Sequence, residues 1–261
     1  MKTLNQKGFT LVEIAIVLVV IGLLLGGILK GQQLIDSARV RNLADQNSGI
    51  QAAYYGFIDR FRNLPGDMLP TAACTNVGAA VDASAANCAA ATVGGDANGI
   101  IDTVREAAAV WSHLSVAGFL TGTYDGKTAA DALVAVDGSD YALTVPNNGV
   151  PANAFQGAIL LAHLNDYVDG ANTAQGAIVR LAYSFGGNIP VPLLRDLDQK
   201  LDDGVAGTGV LRSAFGDGTP DGTFGTVVEY TPGGDDCLNA ATPATWAVDS
   251  SNQGCNAIFL Y

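Results

Sequence analysis

A lone carboxylate, Glu13, sits inside residues 9–29, an apolar run otherwise broken only by Thr10. An ionised side chain in a segment long enough to cross a bilayer is costly, and it marks a functional position by default. The economical chemistry is charge pairing: Glu13 meets a positive group once the segment no longer stands alone in lipid. About 20 residues at a rise of roughly 1.5 Å each match the roughly 30 Å hydrocarbon core. Ahead of the run lie residues 1–8, whose only charges are Lys2 and Lys7. A secretory signal peptide has a shorter apolar stretch followed by a small-residue cleavage site. Here Lys30, Gln32 and Gln33 follow instead, so any processing is expected at Gly8, before the run. An ordinary uncleaved N-terminal membrane anchor is the alternative that hydropathy alone allows.

A second group of residues has the chemistry of a cation site. Asp96, Asn98 and Asp102 place oxygen side chains around an Asn98-Gly99 turn, with Glu106 four residues further on. Calcium takes six to eight oxygens, and a turn of this kind can wrap several around one ion. The twelfth position counted from Asp96 is Ala107 rather than glutamate, which departs from an EF-hand. The competing reading is an Asx-rich turn leading into a helix, with Asp102 or Thr103 as its N-cap. Asp202-Asp203-Gly204 and the stretch Asp217-Gly218-Thr219-Pro220-Asp221-Gly222 are weaker candidates of the same sort.

Four cysteines, Cys74, Cys88, Cys237 and Cys255, fall as two pairs that each close a short Gly/Asn/Ala-rich loop. None forms a C-x-x-C, and the two histidines, His113 and His163, are distant in sequence, so a zinc site is disfavoured. Two disulfides are expected, and they require an oxidising compartment. Three connectivities are possible; Cys74–Cys88 with Cys237–Cys255 is preferred. Each such closure contributes on the order of 3 kcal/mol in the loop-entropy account. Catalysis finds no support: there is no G-x-S-x-G elbow, H-E-x-x-H or P-loop. The formal net charge of −12 argues against a nucleic-acid partner for the head.

Lys7-Gly8-Phe9-Thr10-Leu11-Val12-Glu13, followed by Ile14-Ala15-Ile16-Val17-Leu18-Val19-Val20-Ile21-Gly22, resembles the class III signal of type IV prepilins and type II secretion pseudopilins. The resemblance implies that a membrane-embedded prepilin peptidase cuts after Gly8 and that the new amino group of Phe9 becomes methylated. It further implies that Glu13, fifth after the cut, compensates that amino group on a neighbouring subunit during assembly. Its implied partners are copies of itself or related pilins and an inner-membrane assembly machinery. Many members carry a proline near the end of the apolar segment, where this chain has Lys30. The expected function is a structural subunit of a type IV pilus-like filament. The alternatives are a type II secretion pseudopilus subunit and, from another class, a monomeric periplasmic binding or adhesive domain on a simple anchor. The precursor is expected in the bacterial inner membrane with a periplasmic head, and the assembled subunit in an extracellular or periplasmic filament.

The elements that must position these groups follow from periodicity. No proline occurs before Pro65, and Leu43, Ile50, Tyr54, Phe57 and Phe61 recur on one face of a 3.6-residue period. One helix is expected from about residue 9 to 62, apolar all round at first and amphipathic afterwards. A kink at Gly26-Gly27 or Lys30-Gly31 is the alternative. Gly22/Gly26 and Gly27/Gly31 have the small-xxx-small spacing that allows close helix approach. The division is therefore residues 1–8 as leader, 9–29 as membrane and filament-core helix, 30–64 as its amphipathic continuation and 65–261 as a globular head. Residues 66–103 read as a long loop held by the first cysteine pair. Residues 105–119 and 192–203 read as helices, the latter stopped by Gly204. Strands are expected at 133–136 and 141–145 as a hairpin, and at 179–185, 224–230 and 256–261. The fold class is α+β, with the second half of the long helix packed on an antiparallel-sheet head.

Overall fold

The helical period of the N-terminal region becomes one continuous helix, α1, Leu11–Phe61, in a computed structural model that describes residues 11–126, 149–164, 167–168, 179–214, 237–239, 242–250 and 255–261. The helix stops where Arg62 turns to a positive φ of 55° ahead of Pro65. The chain divides into two compact units, at Arg39 and Val40.

In the first unit α1 buries nothing. Leu11, Val17, Leu24, Leu29 and Ile35 all lie more than half exposed. An Ala/Val/Leu/Ile surface of this extent has no reason to face water, so its environment must be lipid or other helices.

In the second unit the same helix acquires a buried face: Val40, Leu43, Asn47, Ile50, Ala53, Tyr54 and Phe57. Phe61, expected on that face, is only half-buried but lies against Phe57 with ring centroids 4.5 Å apart. This face shares one core with α3, Val104–Val116, in which every residue from Glu106 to Leu114 is buried. The sequence suggested one apolar face for this helix. Its Ala107-Ala108-Ala109 run lets neighbours approach from all sides, so it is central instead. Thr103 caps it, with its hydroxyl accepting from the Glu106 N–H and the Glu106 carboxylate returning to the Thr103 N–H at 3.1 Å.

Residues 66–103 are more ordered than the expected loop. They hold α2, Pro70–Asn76, and two 3-10 turns, Ala79–Asp82 and Cys88–Ala90. Pro70 occupies the first turn of α2, where a missing N–H costs nothing. Cys74 of α2 is joined to Cys88, and Cys237 to Cys255, with Cα separations of 5.3 and 6.0 Å.

The sheet is antiparallel in the order β1-β2-β6-β3, comprising β1 Leu160–Leu164, β2 Arg180–Ser184, β3 Leu211–Ser213 and β6 Ala257–Leu260. Leu161 pairs with Tyr183, Tyr183 with Phe259, and Leu211 with Phe259. A two-residue ribbon joins β4 Leu238–Asn239 to β5 Thr245–Trp246. α3 lies against β1, and α4, Val191–Leu201, against β3 and β5. The alternation expected in residues 179–185 fails at its end. Ala182, Tyr183, Ser184 and Phe185 are all buried, and the Ser184 hydroxyl is satisfied by Asn256 Nδ2 at 2.9 Å. The hairpin at 133–145, the strand at 224–230 and the acidic turn at 217–222 lie outside the described residues.

Candidate functional site

Glu13 stands in the first described turn of α1. Gly8 and Phe9, the predicted cleavage and methylation residues, lie outside the described residues. α1 is long and apolar enough to cross a membrane, with a window of mean hydropathy 2.8 of which none is buried. At the far end of the run Lys30 Nζ reaches Gln33 Oε1 at 3.4 Å, and Asp36 and Arg39 approach to 3.9 Å. These charges set a polar boundary to the apolar span.

The predicted oxygen quartet is brought partly together. Asp96 and Glu106 converge with Asp67, a residue that the sequence reading missed, so that one ligand atom of each lies within 4.8 Å of the others. Asp67 follows the helix stop at Leu64-Pro65-Gly66, and an acid in that turn was the available signal. The oxygens are heavily engaged by the backbone. Glu106 Oε1 accepts from the Asp96 N–H, and its Oε2 from the N–H groups of Asp102 and Thr103, at 3.0 to 3.2 Å. Asp67 accepts from the N–H groups of Asn98 and Gly99 at 3.0 and 2.9 Å. Asn98 points its Nδ2 toward Asp96 and Asp102, both at 3.4 Å, while its Oδ1 accepts from Ile100. Burial pushes the Glu106 carboxyl up to about 7, against the lowering pull of those N–H donors. Burial likewise raises Asp67. The quartet plus Asp67 therefore fastens the loop before α3 to the end of α1.

A second acidic group, Asp198, Asp202 and Asp203, also brings one ligand atom each within 4.8 Å. Asp198 falls in the apolar stripe of α4 beside Leu194, Leu197 and Leu201, and an acid in that register was a signal that could have been read. It is fully buried, and its Oδ2 accepts from Trp246 Nε1 at 2.7 Å. Burial raises its carboxyl to about 6, opposed by the Trp246 indole and the Gly204 amide.

Both histidines are structural in their contacts. His113 is fully buried, and its Nδ1 accepts from the Gly66 N–H at 2.9 Å, so the neutral ring carries its proton on Nε2. Burial pushes it down to about 4. His163 Nδ1 accepts from the Ile101 N–H at 2.8 Å, tying β1 to the start of α3. An open groove of about 350 Å³ beside α1 is lined by Gln46, Ile50, Phe119, Leu120, Tyr124 and Pro151, without a charged side chain.

Residues 3–29 match the family model described as the prokaryotic N-terminal methylation motif. The chain is type IV pilin-like or pseudopilin-like. That match covers Gly8, Phe9 and Glu13 and the apolar part of α1, and with the exposed apolar helix it supports anchoring in a membrane. No curated protein and no solved structure matches the chain.

Proposed function

We propose that the chain is a structural subunit of a type IV pilus-like filament, held in the inner membrane until its leader is removed after Gly8 and then polymerised through α1. The observation that carries this reading is Glu13, at the head of a helix whose apolar segment up to Leu29 is exposed and matches the methylation motif. In a filament, such surfaces bury one another, and the Glu13 carboxylate meets the methylated amine of Phe9 on an adjoining subunit. The two charges attract strongly once removed from water, and removing either leaves the other buried without a partner. The disulfides agree with a head on the oxidising, periplasmic side. The mechanism is assembly rather than turnover.

The test is the amount of mature subunit in sheared filaments relative to the membrane pool. Glu13→Ala should leave insertion and folding normal and lower incorporation by ~10-fold or more, because the lost contact recurs at every subunit. Glu13→Asp should be intermediate, and mass spectrometry should find mature chains that begin at N-methylated Phe9. Equal incorporation of wild type and Glu13→Ala would favour a simple anchor. Loss of protein secretion with no surface filament would instead place the subunit in a secretion pseudopilus.

A further inference from the structure

We propose that Asn98 is a site of self-catalysed covalent modification, at which the side-chain amide becomes a carboxyl by way of a cyclic imide with Gly99. Asn98 and Gly99 are both exposed, and Gly99 has φ +90° with open space where a Cβ would stand. A glycine nitrogen can close on the preceding asparagine because no side chain of its own blocks the approach. Carrying the two reacting groups on adjacent residues makes the ring closure unimolecular.

An Asn-Gly pair in a loop is not in itself unusual. What sets Asn98 apart is that each reacting atom is already met by a group suited to its change. The Gly99 N–H, the nucleophile, donates to Asp67 Oδ2 at 2.9 Å, so a general base holds the proton that has to leave. Asn98 Oδ1, which gains negative charge as the ring closes, accepts from the Ile100 N–H at 2.9 Å. Asn98 Nδ2, the leaving nitrogen, faces Asp96 Oδ2 and Asp102 Oδ2, each at 3.4 Å, and these carboxylates favour the positive charge it acquires. Asp67 comes from the turn after α1 and the other groups from the loop before α3, so only the folded head assembles the set.

Water is the sole co-reactant. The Gly99 nitrogen bonds to Asn98 Cγ and passes its proton to Asp67. The Cγ–Nδ2 bond then breaks, and the proton returns through water to Nδ2, which departs as ammonia. Water next opens the imide and restores the Gly99 N–H. Opening at Cγ yields aspartate; opening at the backbone carbonyl yields isoaspartate, with an extra methylene in the main chain. Either product sets a new negative charge beside Asp96 and Asp102, and isoaspartate also shifts the two N–H groups that grip Asp67. The site is independent of the assembly reading.

Full-length protein in detergent is held at neutral pH in labelled-oxygen water, folded in one sample and unfolded in guanidinium chloride in another. Peptide mapping follows the conversion of Asn98. The folded chain is expected to convert ~10-fold or more faster than the unfolded one, to both aspartate and isoaspartate, each carrying oxygen from the water. Asp67→Asn should slow the folded protein ~10-fold or more, and Asp102→Asn by a smaller factor. A folded rate equal to or below the unfolded rate would overturn the proposal. So would aspartate formed without isoaspartate, or an Asp67→Asn variant of native circular dichroism that converts as fast as wild type. The comparison of folded with unfolded wild type needs no variant, so it decides even where Asp67→Asn fails to fold.

Discussion

Among the described residues the head carries two carboxylate clusters of equal size and similar spacing, and they differ in what answers their oxygens. Around Asp67, Asp96 and Glu106 the backbone turns its N–H groups inward, and both oxygens of Glu106 are engaged. Around Asp198, Asp202 and Asp203 the donors are spread over three acids: the buried one takes the Trp246 indole N–H, and the exposed ones take the Leu211 and Val205 N–H groups and the Thr208 hydroxyl. Spacing between acids therefore says little by itself. What separates them is where the donors converge: three backbone N–H groups meet on the buried Glu106, whereas in the second cluster most fall on exposed acids.

The largest contrast should appear on truncation. Glu106→Ala removes the buried acceptor of three part-buried backbone N–H groups and should cost about 3 kcal/mol, lowering the thermal midpoint by roughly 10 °C. Asp203→Asn on the exposed rim of the second cluster should change stability by less than about 1 kcal/mol. Urea unfolding followed by tryptophan emission, from Trp111 and Trp246, measures both. Similar costs would erase the distinction between the two clusters.

Titration sharpens it next. The folded pKa of Glu106 is raised from 4.5 to about 7, so between those values the native state holds more protons than the unfolded chain. Its contribution is then fully present at acid pH and declines as pH rises toward 7. The penalty of Glu106→Gln should shrink by on the order of 2 kcal/mol between pH 4.5 and 7.5. His113 runs the other way. Its folded pKa of about 4 lies below the usual 6.5, so its contribution is present above pH 6.5 and is lost as pH falls toward 4. The penalty of His113→Asn should grow over the window in which that of Glu106→Gln shrinks, in paired unfolding curves from pH 4 to 8. Parallel slopes would contradict the assigned protonation states.

Much of this was legible in the sequence, and the rest was hidden for definable reasons. The long helix and its buried stripe follow from the 3.6-residue period of Leu43, Ile50, Tyr54 and Phe57, and the cap of α3 follows from Thr103-x-x-Glu106. β1 escaped notice because Leu160-Leu161-Ala162 is buried on both faces and shows no alternation, and β3 because three residues carry too short a pattern. α2 escaped because its Ala/Thr sequence has no apolar stripe. The clusters were half visible. Asp96, Asn98, Asp102 and Glu106 are close along the chain, whereas Asp67 joins them from 29 residues before Asp96, and Asp198 is hidden within a helix. Periodicity records which face is buried, and it cannot record which backbone N–H groups fold back onto a carboxylate.

The smallest test uses two glycines, each of which leaves room for an acid. A Cβ on Gly95 would collide with Glu106 Oε1 and with the Asp67 backbone, neither of which can retreat. Gly95→Ala should therefore cost about 1.5 kcal/mol in urea unfolding. A Cβ on Gly209, at φ +71°, would collide with the exposed Asp202 carboxylate, which can swing aside. Gly209→Ala should cost about 1 kcal/mol, most of it from the left-handed backbone. The reverse order of costs would mean that Asp202 is held as firmly as Glu106.

The position of β6 in the sheet has a consequence for how the head is made. β6 pairs with both β2 and β3, and Tyr261 just beyond it hydrogen-bonds through its hydroxyl to Asn47 Oδ1 on α1 at 2.8 Å. These partners emerge from the ribosome earlier, and they wait with unpaired edges until residues 257–261 follow. A ribosome that stalls before Ala257 leaves a head without the middle of its sheet. The head therefore closes late, and its open sheet edges are available to any chaperone or protease until that last strand arrives.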